Sequence, residues 1–277
     1  MASPTKRVKE VVQRILSRYP ALKRNALYYR LQRYRQYRPL RVQPWLTERK
    51  DIIEALQRDG VCVLPGYLDR RLCEAMLTEY EPYMKQVVDK TFDGIFNAKP
   101  EYGPYRIGEA DKYSPTARQH FFADPTILSV AHAFVAPSAV SYRRELDFKV
   151  HAALFSQSDI AHFDDWRHRF KAFLYLTDVT ELNGPFVYYA KTHHQERWKE
   201  RYNLEYEIDG QGGRYGHFFP QEMRALVARH GFEERVCTGP AGTLIFADFR
   251  GIHRGTVIVE GRRVLLNNTF GIELEGF

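Results

Sequence analysis

The sequence predicts a mainly β fold with flanking helices, its strands closing into a sandwich or barrel. Three observations predict it. Helical spacing of apolar residues belongs to the first half of the chain and ends near residue 135. From residue 139 onward come eight short runs rich in β-branched and aromatic residues, parted by turn formers. A chain of 277 residues that is 44% apolar can also bury one sizeable core.

In order along the chain, residues 7–37 place Val8, Val11, Val12 and Ile15 at helical spacing, with a second cluster of Ala26, Leu27 and Leu31 after Pro20, which reads as two short basic helices. "PLRVQPW" is an extended linker, because the residue before each proline avoids the helical region. A helix over 47–58 precedes the β-run "VCVLPGYLD", which Pro65-Gly66 closes, and Asp69 caps a helix over 70–89. An irregular stretch rich in Tyr, Gly and Pro leads to a helix at 125–135. The strands then fall at 139–148, 150–156, 170–177, 185–189, 234–238, 243–247, 256–259 and 263–270. Residues 191–233 interrupt them without the apolar periodicity of a separate core, so they read as a lid with helices near 194–202 and 220–230.

Charge divides the chain unevenly. Residues 1–45 hold twelve Lys or Arg against the single acid Glu10, a net +11, so the remainder carries −4 of the total +7. This basic extension suits a solvated or homodimer face, or an anionic membrane surface or anionic carrier; its interleaved Tyr and Arg also suit stacking on bases, though nucleic acid is the weakest of these readings. Cys62, Cys73 and Cys237 form no CxxC pair, no apolar run approaches a spanning helix, and the start lacks a secretory leader, so a reducing, cytoplasmic setting is expected. GxSxG, HExxH and GxxxxGK are absent, and "GQGGRYG" lacks both the register and the preceding strand of a dinucleotide site.

The chemistry gathers at "IAHFDDW", just before the aromatic strand "KAFLYLTD". Extended backbone alternates faces, so His162 and Asp164 point one way and Phe163 the other. Asp165 is the alternative carboxylate, on the opposite face from His162. An imidazole and a carboxylate need a second imidazole to complete the facial triad of non-heme Fe(II) oxygenases. His253, at the exit of the strand in "GPAGTLIFADFRGIHRG", is the candidate. Arg263 opens "RVLLNNTF", and a guanidinium fork matches the distal carboxylate of a diacid such as 2-oxoglutarate. Its face continues with Leu265, Asn267 and Thr269, whereas the face of Arg262, the fallback, continues with Val264, Leu266 and Phe270. Asn267, Lys171 and Tyr175 are further candidate co-substrate contacts. The adjacent His193 and His194 point apart and belong on the lid surface.

"HFDDW", "FLYLTDVTELNGPFVYYAKTHH" and "GPAGTLIFADFRGIHRGTVIVEGRRVLLNNTF", in that order, resemble the phytanoyl-CoA dioxygenase (PhyH-like) family of Fe(II)/2-oxoglutarate oxygenases. "RDGVCVLPGYLDRRLCEAM" is similar to that family's entry strand and helix, and the resemblance runs over about residues 48–271. It implies a double-stranded β-helix (jelly-roll, cupin-like) core within residues 46–277, with His162, Asp164 and His253 as the metal ligands and Arg263 as the 2-oxoglutarate arginine. It also implies O2 as co-substrate and a small molecule, such as a natural product, as the substrate. Related halogenases replace the carboxylate ligand with a small residue; Asp164 is present, which favours hydroxylation, demethylation or desaturation. "YYAKTHH" departs from the family's usual proline-glycine-serine-histidine turn, which bears on the lid. A silent jelly-roll binding protein and a nucleic-acid demethylase are the alternatives. An intact triad argues against the first, and the lack of any arginine after Arg263 argues against the second.

Overall fold

The computed structural model describes residues 18–19, 42–97, 104–149, 159–164, 169–194 and 216–272. Nearly all of them belong to one compact unit, Pro39–His194 with His217–Phe277. The helices expected within 7–37 and at 194–202, the strand at 150–156, and Asp165 lie outside the described residues.

Helix α1, Lys50–Asp59, stops at Gly60, whose φ of 81° only glycine adopts without strain. It begins three residues later than the expected 47, because Pro44–Leu46 form a separate 3-10 turn. Strand β1, Val61–Leu64, leads to α2, Arg70–Val88, where the Asp69 carboxylate accepts from Arg71 N at 2.7 Å as the cap. The stretch expected to be irregular holds two paired strands, β2 (Phe96–Asn97) and β3 (Tyr105–Gly108), before α3, Pro125–Phe134, capped by Asp124. Then come β4 (Val140–Lys149), β5 (Ala161–His162), β6 (Phe170–Tyr175), β7 (Phe186–Tyr189) and β8 (His217–Phe218). Helix α4 (Pro220–His230) precedes β9 (Glu234–Cys237), β10 (Leu244–Asp248), β11 (His253–Arg254) and β12 (Arg263–Gly271).

The strands form two antiparallel sheets, a larger one in the order β1-β10-β6-β12-β4-β3-β2 and a smaller one in the order β8-β5-β11-β7-β9. Chain neighbours pass from one sheet to the other: β4 and β6 lie in the large sheet, β5 between them in the small one. That alternation is the winding of a double-stranded β-helix. Residues 256–259 are not the expected strand. Ile258 makes one isolated bridge to Asn183 while Val257 and Val259 face solvent, so a β-branched run without a partner strand serves as a crossing.

Alternation sorts the side chains of the large sheet. Val264, Leu266 and Phe270 of β12 face α1–α3 and join a core with Ile52, Met76 and Phe134. At its centre Phe170 stacks on Phe246 at 5.3 Å and leans on Phe270 at 5.9 Å; each such ring contributes ~1.5–3 kcal/mol by burial. The opposite face turns toward the small sheet, where Leu265, Phe173 and Tyr175 pack with Phe186 and Tyr188. Along the same face run Arg263, Asn267, Lys171 and Asp147. The polar residues are therefore held between two rigid sheets.

Candidate metal centre

Strand pairing brings the distant histidines together. β11 lies between β5 and β7 with His253 directly opposite His162, and the two rings stand 4.5 Å apart. Cross-strand partners share a face, so both imidazoles point between the sheets. Asp164 follows just past β5, and its backbone N–H donates to Phe249 O at 3.1 Å, which latches this turn to the end of β10. Gly251 makes room for the tight approach into β11, since a Cβ there would collide with the Tyr188 hydroxyl.

Asp164 Oδ1 is 3.6 Å from His162 Nε2 and 3.6 Å from His253 Nε2. The three ligand atoms lie within 4.8 Å of one another. Donors bound at ~2.0–2.2 Å to one divalent ion stand a little closer than this, so a modest inward movement suffices. The tautomers are set locally: His162 Nδ1 meets Ile160 O at 2.7 Å and His253 Nδ1 meets Gly251 O at 2.9 Å. A carbonyl only accepts, so each Nδ1 carries the proton and each Nε2 keeps a free lone pair. Burial, reinforced by the neighbouring His253, pushes the His162 imidazole down to about 3, so it is neutral at physiological pH. Burial opposes the charge of Asp164, yet the Lys171 ammonium beside it outweighs that and holds the carboxyl well below its ordinary range. Two imidazoles and one carboxylate form a donor set of the hardness that suits Fe(II).

Arg263 lies inward and is 5% exposed, whereas Arg262 faces outward near Glu81. Arg263 Nη1 donates to Gly184 O, Nη2 donates to Asp147 Oδ1 at 3.4 Å, and the buried Nε has no hydrogen-bond partner among the described residues. Lys171 Nζ donates to Asp164 Oδ2 at 2.6 Å and sits 3.7 Å from the centre of the Phe249 ring. Asn267 spends its amide inside the wall, donating to Glu145 Oε2 at 3.0 Å and accepting from Thr269 Oγ1 at 3.3 Å. Tyr175 is fully buried, its hydroxyl donating to Cys237 O at 2.8 Å and accepting from Phe186 N at 3.1 Å, so both of its hydrogen bonds close within the core.

Three features escaped the sequence reading. His193 is not on a lid surface: it is buried against α1, with Nε2 at 3.1 Å from Gln57 O, and although His194 is exposed as expected, the two rings do not point apart but lie 4.0 Å from each other. His217, across from His162 on β8, stacks on it at 5.4 Å. Asp147, braced by Arg106 Nε at 3.0 Å, faces Arg263. A two-residue strand such as β8 carries no readable period, and the register of β4 against β12 is not written in either strand alone.

A double-stranded β-helix with two imidazoles and a carboxylate between its sheets is the architecture of the non-heme Fe(II)/2-oxoglutarate-dependent oxygenases. The family model for phytanoyl-CoA dioxygenase (PhyH) matches residues 56–256, and the chain belongs to that family. It is thus an enzyme of the Fe(II)/2-oxoglutarate class. Among solved structures it is similar to EctD from S. alaskensis with 2-oxoglutarate and 5-hydroxyectoine, at TM-score 0.58 and 17% identity, covering 85% of this chain and 81% of that one. It is also similar to AviO1 from Streptomyces viridochromogenes Tue57, at TM-score 0.57 and 15% identity over 83% and 97% of the two chains. The alpha-ketoglutarate-dependent carbocyclase SnoK from nogalamycin biosynthesis aligns at TM-score 0.55 and 15% identity over 80% and 83%. No curated protein matches the sequence.

Proposed function

We propose that the chain oxidises a C–H bond of a small-molecule or natural-product metabolite, most simply by hydroxylation, with release of succinate and CO2. The observation that carries the site assignment is the pair of imidazoles whose Nδ1 protons are committed to backbone carbonyls and whose Nε2 atoms lie equally far from Asp164 Oδ1. His162, Asp164 and His253 would hold Fe(II), which would bind 2-oxoglutarate and O2 and supply the redox chemistry of O2 activation. Arg263 presents an unpartnered Nε beside Nη2, a fork that fits the distal carboxylate of 2-oxoglutarate. The Phe173, Phe186 and Phe249 rings beside His253 keep water from this side of the site. The similarity to a carbocyclase of nogalamycin biosynthesis and to EctD with 5-hydroxyectoine supports a small-molecule metabolite as the substrate. Anaerobic reconstitution with Fe(II) and 2-oxoglutarate, followed by succinate measurement in air with and without iron, tests the reading; iron-independent succinate, or none with any candidate substrate, would overturn it.

Residues 1–45, at +11, are proposed to bring the enzyme to an anionic membrane surface or carrier in the cytoplasm, each basic side chain contributing ~1 kcal/mol at such a surface. Among the described residues no helix is long and apolar enough to cross a membrane. Co-sedimentation with phosphatidylserine vesicles at low salt, lost at high salt and on deletion of residues 1–41, is the expected result. No binding at low salt would remove the proposal and leave the extension as a packed or dimer-forming face.

A further inference from the structure

Lys171 stands apart from the metal-ligand set, yet it is tied to one of its members. Its ammonium makes a 2.6 Å contact to Asp164 Oδ2, the oxygen that does not face the histidines. The position is built on three sides. Lys171 projects from β6 opposite Thr269 of β12, so the sheet fixes its origin. Nζ rests 3.7 Å above the Phe249 ring, and Phe249 in turn packs on His253 at 4.1 Å and accepts the backbone N–H of Asp164. The Lys171 side chain is 13% exposed and that of Asp164 25%, so the ammonium, held by the ring and the strand, reaches Oδ2 from the protein side. The two carboxylate oxygens therefore have separate duties: Oδ1 lies equidistant from the two Nε2 atoms and Oδ2 is held by the ammonium.

Resting on the metal site proposed above, we infer that Lys171 is a positioning residue that keeps Asp164 a one-oxygen ligand and so preserves an open coordination position. An octahedral ion with three protein donors has three places left, two for the oxygens of 2-oxoglutarate and one for O2. A carboxylate that swings to bind through both oxygens takes one of these. The ammonium prevents the swing by a short charge-assisted hydrogen bond, which also fixes the direction of Oδ1.

The test uses the full chain and Co(II), a redox-stable probe whose visible spectrum reports coordination number. Lys171→Met keeps the aliphatic stem over Phe249 and removes the hydrogen bond. The expected result is Co(II) affinity weakened about 10- to 100-fold, the size typical for loss of a group that orients a ligand, together with a visible spectrum shifted toward the weaker bands of higher coordination. Lys171→Arg, which retains a cationic donor, should restore the wild-type spectrum. Circular dichroism checks folding, and Lys171→Leu, which likewise carries no donor, replaces Lys171→Met if the latter does not fold. Wild-type Co(II) affinity and spectrum in Lys171→Met, with only 2-oxoglutarate affinity lost, would overturn the inference and make Lys171 a co-substrate contact. Equal losses in Lys171→Met and Lys171→Arg would also overturn it and leave a packing role. If the wild-type chain itself fails to bind Co(II), the metal site is refuted and Lys171 falls with it, an outcome distinct from any effect of the variants.

Discussion

Arg263→Lys exchanges a fork for a point charge at one buried position. Nη1 of Arg263 is committed to Gly184 O, which leaves Nε, without a partner, and Nη2, at 3.4 Å from Asp147, along the other edge of the guanidinium. A carboxylate meeting that edge gains two parallel charge-assisted hydrogen bonds. Lysine offers one ammonium on a flexible stem, so one of the two is lost, which costs ~1.5–3 kcal/mol. At 1.4 kcal/mol per tenfold this is a rise of roughly 10- to 150-fold in the apparent KM for 2-oxoglutarate. The value of kcat at saturating 2-oxoglutarate should change much less, because the lost contact is the same in the ground and transition states. The fold should persist, since Asp147 keeps its 3.0 Å bond from Arg106. Succinate formation across a 2-oxoglutarate titration, paired with calorimetric binding to the reconstituted enzyme, reads the effect. Arg262, exposed near Glu81, supplies the control, and its lysine variant should behave as wild type. An unchanged KM in Arg263→Lys beside a raised one in Arg262→Lys would put the anchor on the wrong face of β12. No change in either would remove the guanidinium anchor altogether.

His162→Ala and His253→Ala should each reduce iron-dependent succinate formation to background with far-ultraviolet circular dichroism preserved; full turnover in either removes that residue from the metal set. Phe246→Ala takes a ring out of the stack with Phe170 in a fully buried position, and a loss of ~3–5 kcal/mol should lower Tm by on the order of 10 °C in a calorimetric scan. A Tm within a few degrees of wild type would mean the core collapses around the gap. Asp59, buried at the end of α1, accepts from Arg58 Nε and Arg235 Nη1, each at 3.0 Å. Burial raises its pKa, but the two arginines more than offset that and the net shift is downward. A folded pKa below the unfolded value of ~3.9 gives stability that is complete above about pH 4 and is lost as pH falls through the folded value. Asp59→Asn should therefore cost about 1 kcal/mol at neutral pH, a figure kept low because both arginines reach solvent. The Tm gap from wild type should close in acid, and a gap independent of pH would show that packing, not charge, is involved.

Much of this protein was readable from short stretches of sequence. Two-residue alternation put His162 and Asp164 on one face and parted Arg263 from Arg262, because backbone geometry imposes that period on any extended segment. Asp69 and the following helix are equally local, since a cap acts within one turn. Other features depend on register and packing between segments far apart in the chain. The pairing of β5 with β11 is what makes His253 the neighbour of His162. The same sheet contacts gave Lys171 its partner in Asp164, closed the Tyr175 hydroxyl inside the core, buried His193 against α1 and left residues 256–259 without a strand to join. A sequence specifies which face a side chain occupies wherever the backbone is extended; what that face meets is decided only when distant strands pair, because the free energy that fixes register comes from burying both partners at once.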